Sequence, residues 1–204
     1  MPLDMTGLTL SQKTVVKRLE ADMLSALQKT RDKIATGKAS AALTRWFGAN
    51  STALANSVKG KVARMRSVLL KRTIKCLDGE KSRPAGTNAE ALGYDTGLFD
   101  GGISESDRVA RMLDDDDSIH IDPNFKSLPR TASGAASGWT GQDQLETLFH
   151  ELSHIVLGTD DEKLDDNATT AYGGANARRL AVQSAARPQN NAENWGFFIE
   201  ECGT

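Results

Sequence analysis

Only three histidines and two cysteines occur in 204 residues. The two cysteines, Cys76 and Cys202, lack the paired spacing of zinc fingers, which excludes a cysteine-built metal site. One disulfide could join them, but two buried free thiols are the expected state. No apolar run approaches the roughly 20 residues that a membrane-spanning helix needs. The start, Met1-Pro2-Leu3-Asp4-Met5, lacks a basic segment followed by an apolar one, so no secretory signal is read. The chain is therefore expected to be cytoplasmic as synthesised, with export, if any, through a specialised secretion system.

Hydrophobic and charged contents of 39% and 25% are those of an ordinary soluble globular protein. A net charge of −2 hides an asymmetry: residues 1–90 hold 17 Lys+Arg against 7 Asp+Glu, residues 91–204 hold 8 against 20. The basic residues are scattered along amphipathic segments as on solvated faces, which argues against nucleic-acid binding. An acidic second half suits a cation or a basic substrate.

Apolar spacing predicts a helix over 11–36, with Ser11 as cap and Gly37 as its end. A shorter helix over 40–47 stops at Gly48, and Ser51 opens a third that carries Leu54, Val58, Val62, Met65 and Leu69 on one stripe. Short strands are expected at 73–77, 91–94 and 118–122. The four acids at 114–117 lack the spacing and glycine of a calcium loop and read as a solvated turn. Residues 130–141 form a lead-in rich in small residues. Helices near 175–186 and 190–201, divided by Pro188, close the chain. The expected fold is α+β and mostly helical, one domain over 1–204. Residues 1–72 make an N-terminal helical layer; 73–204 carry a small β-sheet, an active-site helix and the C-terminal helices.

The segment His150-Glu151-Leu152-Ser153-His154 carries the chemistry. On a helix of 3.6 residues per turn, histidines four apart share one face and can bind one Zn²⁺. Glu151 beside them suits a general base rather than a ligand. Leu145, Leu148, Phe149, Leu152, Ile155 and Val156 supply an apolar side, Thr140 and Gly141 precede the helix, and Gly158 ends it. Catalytic zinc usually keeps three protein ligands. His120, the third histidine, reads as a surface or structural residue rather than a ligand, which leaves a carboxylate: Glu193 on a later helix, or an acid in Gly158-Thr159-Asp160-Asp161.

With these motifs the chain resembles the aspzincin metalloendopeptidases, the group of deuterolysin and the fungal peptidyl-Lys metalloendopeptidases. Their pattern continues after His-Glu-x-x-His with Gly-Thr-x-Asp-x-x-Tyr-Gly. Gly158-Thr159-Asp160-Asp161 matches as far as the Asp, while Tyr172-Gly173 follows eight residues later than the pattern wants. Looser likenesses lie at 45–48, at 119–125 and at 191–198. The resemblance implies a zincin-like fold, one Zn²⁺ per chain, ligands His150, His154 and Asp161, and Glu151 as catalytic carboxylate. It implies that the Tyr172 hydroxyl steadies the tetrahedral intermediate, which requires 162–171 to loop out. Asp160, Asp165 and Asp166 are rival acids in that loop. Glu193 is implied as a substrate-binding acid for a Lys after the scissile bond. Gly196 stands where a second such acid is expected, and Asp122 where secreted relatives often carry a cysteine.

The function so implied is a zinc endopeptidase acting on protein or peptide substrates, a bacterial effector in its setting, with a cognate inhibitor among its partners. The alternative is a zinc-binding or interaction module that keeps the scaffold without turnover.

Overall fold

The computed structural model describes residues 3–71, 74–78, 91–94, 118–121, 125, 128–130 and 142–204. The acidic run at 114–117, Asp122, the lead-in at 131–141 and the side chain of His120 lie outside the described set.

Three helices form the N-terminal layer. In α1 (Leu10–Ala35), Val16, Leu19, Met23, Ala26, Leu27 and Ile34 are buried, a stripe at helical spacing. Its cap is Thr9 rather than Ser11. The Thr9 hydroxyl accepts the Gln12 N–H at 3.4 Å, and Gln12 Oε1 accepts the Thr9 N–H at 2.9 Å, a reciprocal capping box. The pair satisfies two first-turn donors, and Ser11 one residue inside the helix does not have that geometry. Helices α2 (Ser40–Phe47) and α3 (Thr52–Lys71) fall where the sequence predicts them.

Gly48 ends α2 at φ +73, and a Cβ there would lie 2.3 Å from the Ala181 carbonyl oxygen. Both the left-handed backbone and the backbone contact demand glycine. Gly48→Ala is expected to cost about 3 kcal/mol, from the αL penalty and the overlap together. A loss of unfolding free energy below about 1 kcal/mol would contradict the packing.

Among the described residues the sheet has four strands in the order β1-β2-β4-β3, with β1 (Leu3–Gly7), β2 (Ile74–Asp78), β3 (Ala91–Tyr94) and β4 (Ser118–Ile121). β1 is parallel to β2 and β2 to β4, while β3 is antiparallel to β4. The sequence reading omits β1. Leu3 and Met5 are its only apolar residues, too short an alternation to register, and the strand forms because it pairs with β2 while Leu3 is buried.

The motif helix α4 (Gln144–Leu157) runs through the centre. Every residue from Gln144 to Val156 is buried, so the one-sided amphipathic pattern expected from the sequence does not hold. The helix packs against the sheet, α1, α3 and α6 (Ala192–Gly203). The cap is Asp143, whose carboxylate accepts the Leu145 and Glu146 N–H groups at 2.9 Å each. Helix α5 (Gly173–Gln183) starts two residues earlier than predicted, and a 3-10 turn at Arg187–Gln189 holds Pro188 before α6. Aromatic rings lock α6 to α2: Trp46 stacks on Phe197 at 5.0 Å, and Phe47 meets Trp195 at 4.9 Å. Cys76 and Cys202 are free and buried, and burial pushes both thiols up to about 12, which leaves them unreactive.

Candidate metal centre

Helical spacing on α4 brings His150 and His154 together with their Nε2 atoms 3.1 Å apart. Each ring is oriented through its other nitrogen. His150 Nδ1 lies 2.8 Å from Glu193 Oε2, and His154 Nδ1 lies 2.7 Å from the Thr159 carbonyl oxygen. An ionised carboxylate and a carbonyl only accept, so each Nδ1 carries the hydrogen. In the neutral rings, both Nε2 lone pairs then point into one spot.

Asp161 closes that spot. The helix stops at Gly158 (φ +64), whose N–H bonds the His154 carbonyl at 3.1 Å, and the chain reverses. The Thr159 hydroxyl meets Ser153 Oγ at 2.8 Å, and Ser153 itself donates to the His150 carbonyl at 2.8 Å. Asp160 is stitched to the start of α6: its N–H donates to the Asn190 carbonyl at 2.7 Å, and its carbonyl accepts the Ala192 N–H at 2.9 Å. The Glu162 N–H donates to Asn191 Oδ1 at 2.9 Å. Held on both sides, Asp161 places Oδ1 at 3.3 Å from His150 Nε2 and 3.5 Å from His154 Nε2.

The three donor atoms form a triangle with edges of 3.1, 3.3 and 3.5 Å. A tetrahedral ion with bonds of about 2.0–2.1 Å separates its ligands by about 3.3–3.4 Å. Two neutral imidazoles and one carboxylate are also the donor chemistry that a borderline-soft dication prefers. The residues fit zinc. Of the rival acids, Asp160 turns to Asn190 at 3.2 Å and Asp165 to Arg187 at 2.8 Å, while Asp166 accepts N–H groups within its own turn.

Protons show the same convergence of charge. Burial opposes protonation of His150, but Glu151, Asp161 and Glu193 outweigh it and lift the ring well above its ordinary value. Burial would raise Asp161, yet hydrogen bonds from His150 and His154 hold it far below the usual carboxylate range. The site is built to hold positive charge.

Glu151 is 5% exposed, and one of its carboxylate oxygens lies within 4.8 Å of a ring nitrogen of each histidine. With His150 and His154 it therefore also forms a group close enough to share an ion.

Glu193 differs from the expectation. It is fully buried, with Oε2 on His150 and Oε1 accepting the Gly173 N–H at 2.6 Å. Both oxygens are engaged inside the protein, so it orients a ring and is not positioned to meet a substrate lysine. Its neighbour on the other side is Glu146, one helical turn before His150 and also fully buried. Both carboxyl oxygens of Glu146 lack a hydrogen-bond partner among the described residues. Burial, then the Glu193 charge, push Glu146 well above the carboxylate range, which keeps it neutral. A Cβ on Gly196 would lie 2.3 Å from Glu146 Oε1, so the carboxyl occupies the room that the glycine leaves. The sequence reading passed over Glu146; its spacing of four from His150 was the available signal. Thr159 as the partner of His154 had none, because backbone acceptors leave no trace in residue identity.

Tyr172 returns to the site. Residues 162–171 form a small excursion: Lys163 bridges Thr170 antiparallel, the Leu164 N–H bonds the Thr169 carbonyl at 2.8 Å, and the Ala171 N–H bonds the Glu162 carbonyl at 2.7 Å. Leu164, Ala171 and Leu180 pack as a small cluster beneath it. The excursion ends beside its origin, and the Tyr172 hydroxyl donates to Asp161 Oδ2 at 2.6 Å. Burial and the Asp161 charge raise the phenol far above its ordinary value, so it stays a donor. The ring is half-exposed, with its centroid 6.2 Å from that of His150.

Residues 33–200 match the aspzincin family, described as lysine-specific metallo-endopeptidase. An extracellular protease of Aeromonas hydrophila is 33% identical over 104 residues, which are 50% of this chain and 25% of that protein. The chain thus spans about a quarter of the length of this relative. A zinc peptidase from Grifola frondosa superposes with a TM-score of 0.65 at 20% identity, over 95% of this chain and 97% of that one. At that identity the likeness speaks for the fold.

Proposed function

The chain belongs to the aspzincin family of metallo-endopeptidases, and from that premise we propose that it is a zinc-dependent endopeptidase. The observation that carries the reading is the donor triangle of His150, His154 and Asp161, with Glu151 beside it. Zinc, when bound there, supplies Lewis acidity toward a scissile carbonyl and acidifies water. Glu151 accepts the proton of the attacking water and later delivers it to the leaving amine. The Tyr172 hydroxyl, within a hydrogen bond of Asp161, is the donor that would steady the developing oxyanion. Glu193 and the Thr159 carbonyl hold the two rings in the tautomer that presents Nε2.

Casein hydrolysis tests the reading. It should stop with a chelator and return with one equivalent of Zn²⁺. Hydrolysis indifferent to the chelator would sink it. Intact zinc binding without hydrolysis of casein or peptides would favour the interaction-module alternative, toward which no feature of the site points.

Because protons and the cation compete for the same three atoms, zinc uptake should release protons. Below the raised value of His150 the ring is protonated, so apparent zinc affinity falls as pH falls, by about tenfold per pH unit for each proton displaced. Calorimetric titration in buffers of different ionisation enthalpy would read the proton number. Zero proton release through that range would contradict the arrangement.

A preference for Lys after the scissile bond is the finer part of the proposal. It rests on the family description and the acidic second half of the chain, not on a Glu193 contact. A peptide pair differing only in Lys or Ala at that position decides it. Action outside the cell as a bacterial effector, with a cognate inhibitor and a dedicated secretion route, remains part of the same proposal. Its support is the protein called extracellular in Aeromonas hydrophila.

A further inference from the structure

The excursion at 162–171 separates two residues that must meet. Tyr172 follows Asp161 by eleven positions, yet its hydroxyl lies 2.6 Å from the Asp161 carboxylate. One residue closes the gap. Every polar group of Glu162 is engaged: its N–H with Asn191, its carbonyl with the Ala171 N–H, Oε1 with Asn190 Nδ2 at 2.9 Å and Oε2 with Arg187 Nε at 3.1 Å. Arg187 also grips the excursion itself, through Nη1 to Asp165 at 2.8 Å. Glu162 is the neighbour of Asp161, and its partner Ala171 is the neighbour of Tyr172.

We propose that Glu162, clamped by Arg187 and Asn190, is a positioning residue for the peptidase reaction, holding the Tyr172 hydroxyl on Asp161 across an inserted segment. The proposal rests on the endopeptidase reading above. Its physical basis is chain length. A peptide link between Glu162 and Ala171 would hold Tyr172 near Asp161 covalently. Here eight residues, 163–170, intervene, and side-chain hydrogen bonds at their base replace the covalent constraint. The segment itself touches the site only through that base: its tip residues Asp165, Asp166, Asn167 and Ala168 are exposed, and its one fully buried residue, Leu164, packs away on Leu180. Removing 163–170 turns the stretch into Gly158-Thr159-Asp160-Asp161-Glu162-Ala171-Tyr172-Gly173, with Tyr three residues after Asp.

The test is a mutant cycle on the zinc-loaded full chain. Glu162→Ala should lower kcat about tenfold, with KM and zinc content unchanged, because a donor displaced by about an ångström loses transition-state contact rather than ground-state binding. Glu162→Gln, which keeps an acceptor for Asn190, should recover most of that loss. In a Tyr172→Phe background, Glu162→Ala should cost less than about twofold, since the group it positions is gone. The same indifference is expected when residues 163–170 are excised. Full additivity of Glu162→Ala with Tyr172→Phe overturns the proposal, whether or not the excised chain folds. Amide exchange supplies a readout without turnover: Glu162→Ala should speed exchange at Ala171 and Gly173 but not within α4. Unchanged protection at both amides also overturns it. An inactive wild-type chain would refute the peptidase reading alone, and the exchange result would still decide this one.

Discussion

Glu151→Gln should keep one zinc per chain and lose about a thousandfold in kcat, within the 10²–10⁴ range of general acid–base catalysis. Glutamine matches glutamate in shape, so a side chain that is 5% exposed in the structure can be replaced without opening a cavity. What is lost is the ability to take a proton. In the proposed assignment the donors are His150, His154 and Asp161, and the substitution leaves those three in place. Metal analysis and peptide hydrolysis on the same preparation separate the two effects. Activity within tenfold of the parent, at full zinc content, would remove Glu151 from the mechanism.

Asp161→Asn is expected to raise the zinc Kd by more than about 100-fold, since even outer partners of metal ligands are worth 10–100-fold. The charge on Oδ1 is the only formal negative charge among the three donors, and the amide keeps the volume but not the charge. Asp160→Asn and Asp166→Asn are the matched controls, because their carboxylates face Asn190 and the excursion's own turn. Each should change zinc affinity less than threefold by the measure that separates distant charges from direct ligands. If Asp160→Asn weakens zinc as much as Asp161→Asn, the ligand assignment is wrong.

Different parts of this molecule were legible to different degrees. The helical layer was plain because burial of Val58, Val62, Met65 and Leu69 repeats at helical spacing. The strand at Leu3–Gly7 was not, because pairing with β2 rather than its own residues makes it a strand. The motif helix falls where the sequence places it, with Leu145, Leu148, Phe149, Leu152, Ile155 and Val156 all buried. Its ends and residues were right to within a few positions, but it is buried on all sides, so the polar Glu146, Thr147 and Ser153 are interior too. Glu193 stands out in the sequence as a ligand or a substrate-binding acid, and in the structure both its carboxylate oxygens are engaged within the protein. A carboxylate on a later helix can meet substrate or a ring nitrogen, and only packing of α6 on α4 selects the ring.

The sequence by itself determined the pairing of His150 with His154 and the place of Glu151 beside them. That relation is local, because 3.6 residues per turn carries side-chain direction across four positions. Tertiary structure decided everything that meets them. Asp161 arrives after a reversal at Gly158, Glu193 from another helix, and Tyr172 from the far end of an excursion whose length hides its return. Periodicity ends at each of these breaks, and beyond them position is set by long-range hydrogen bonds such as those of Glu162, which residue order does not encode.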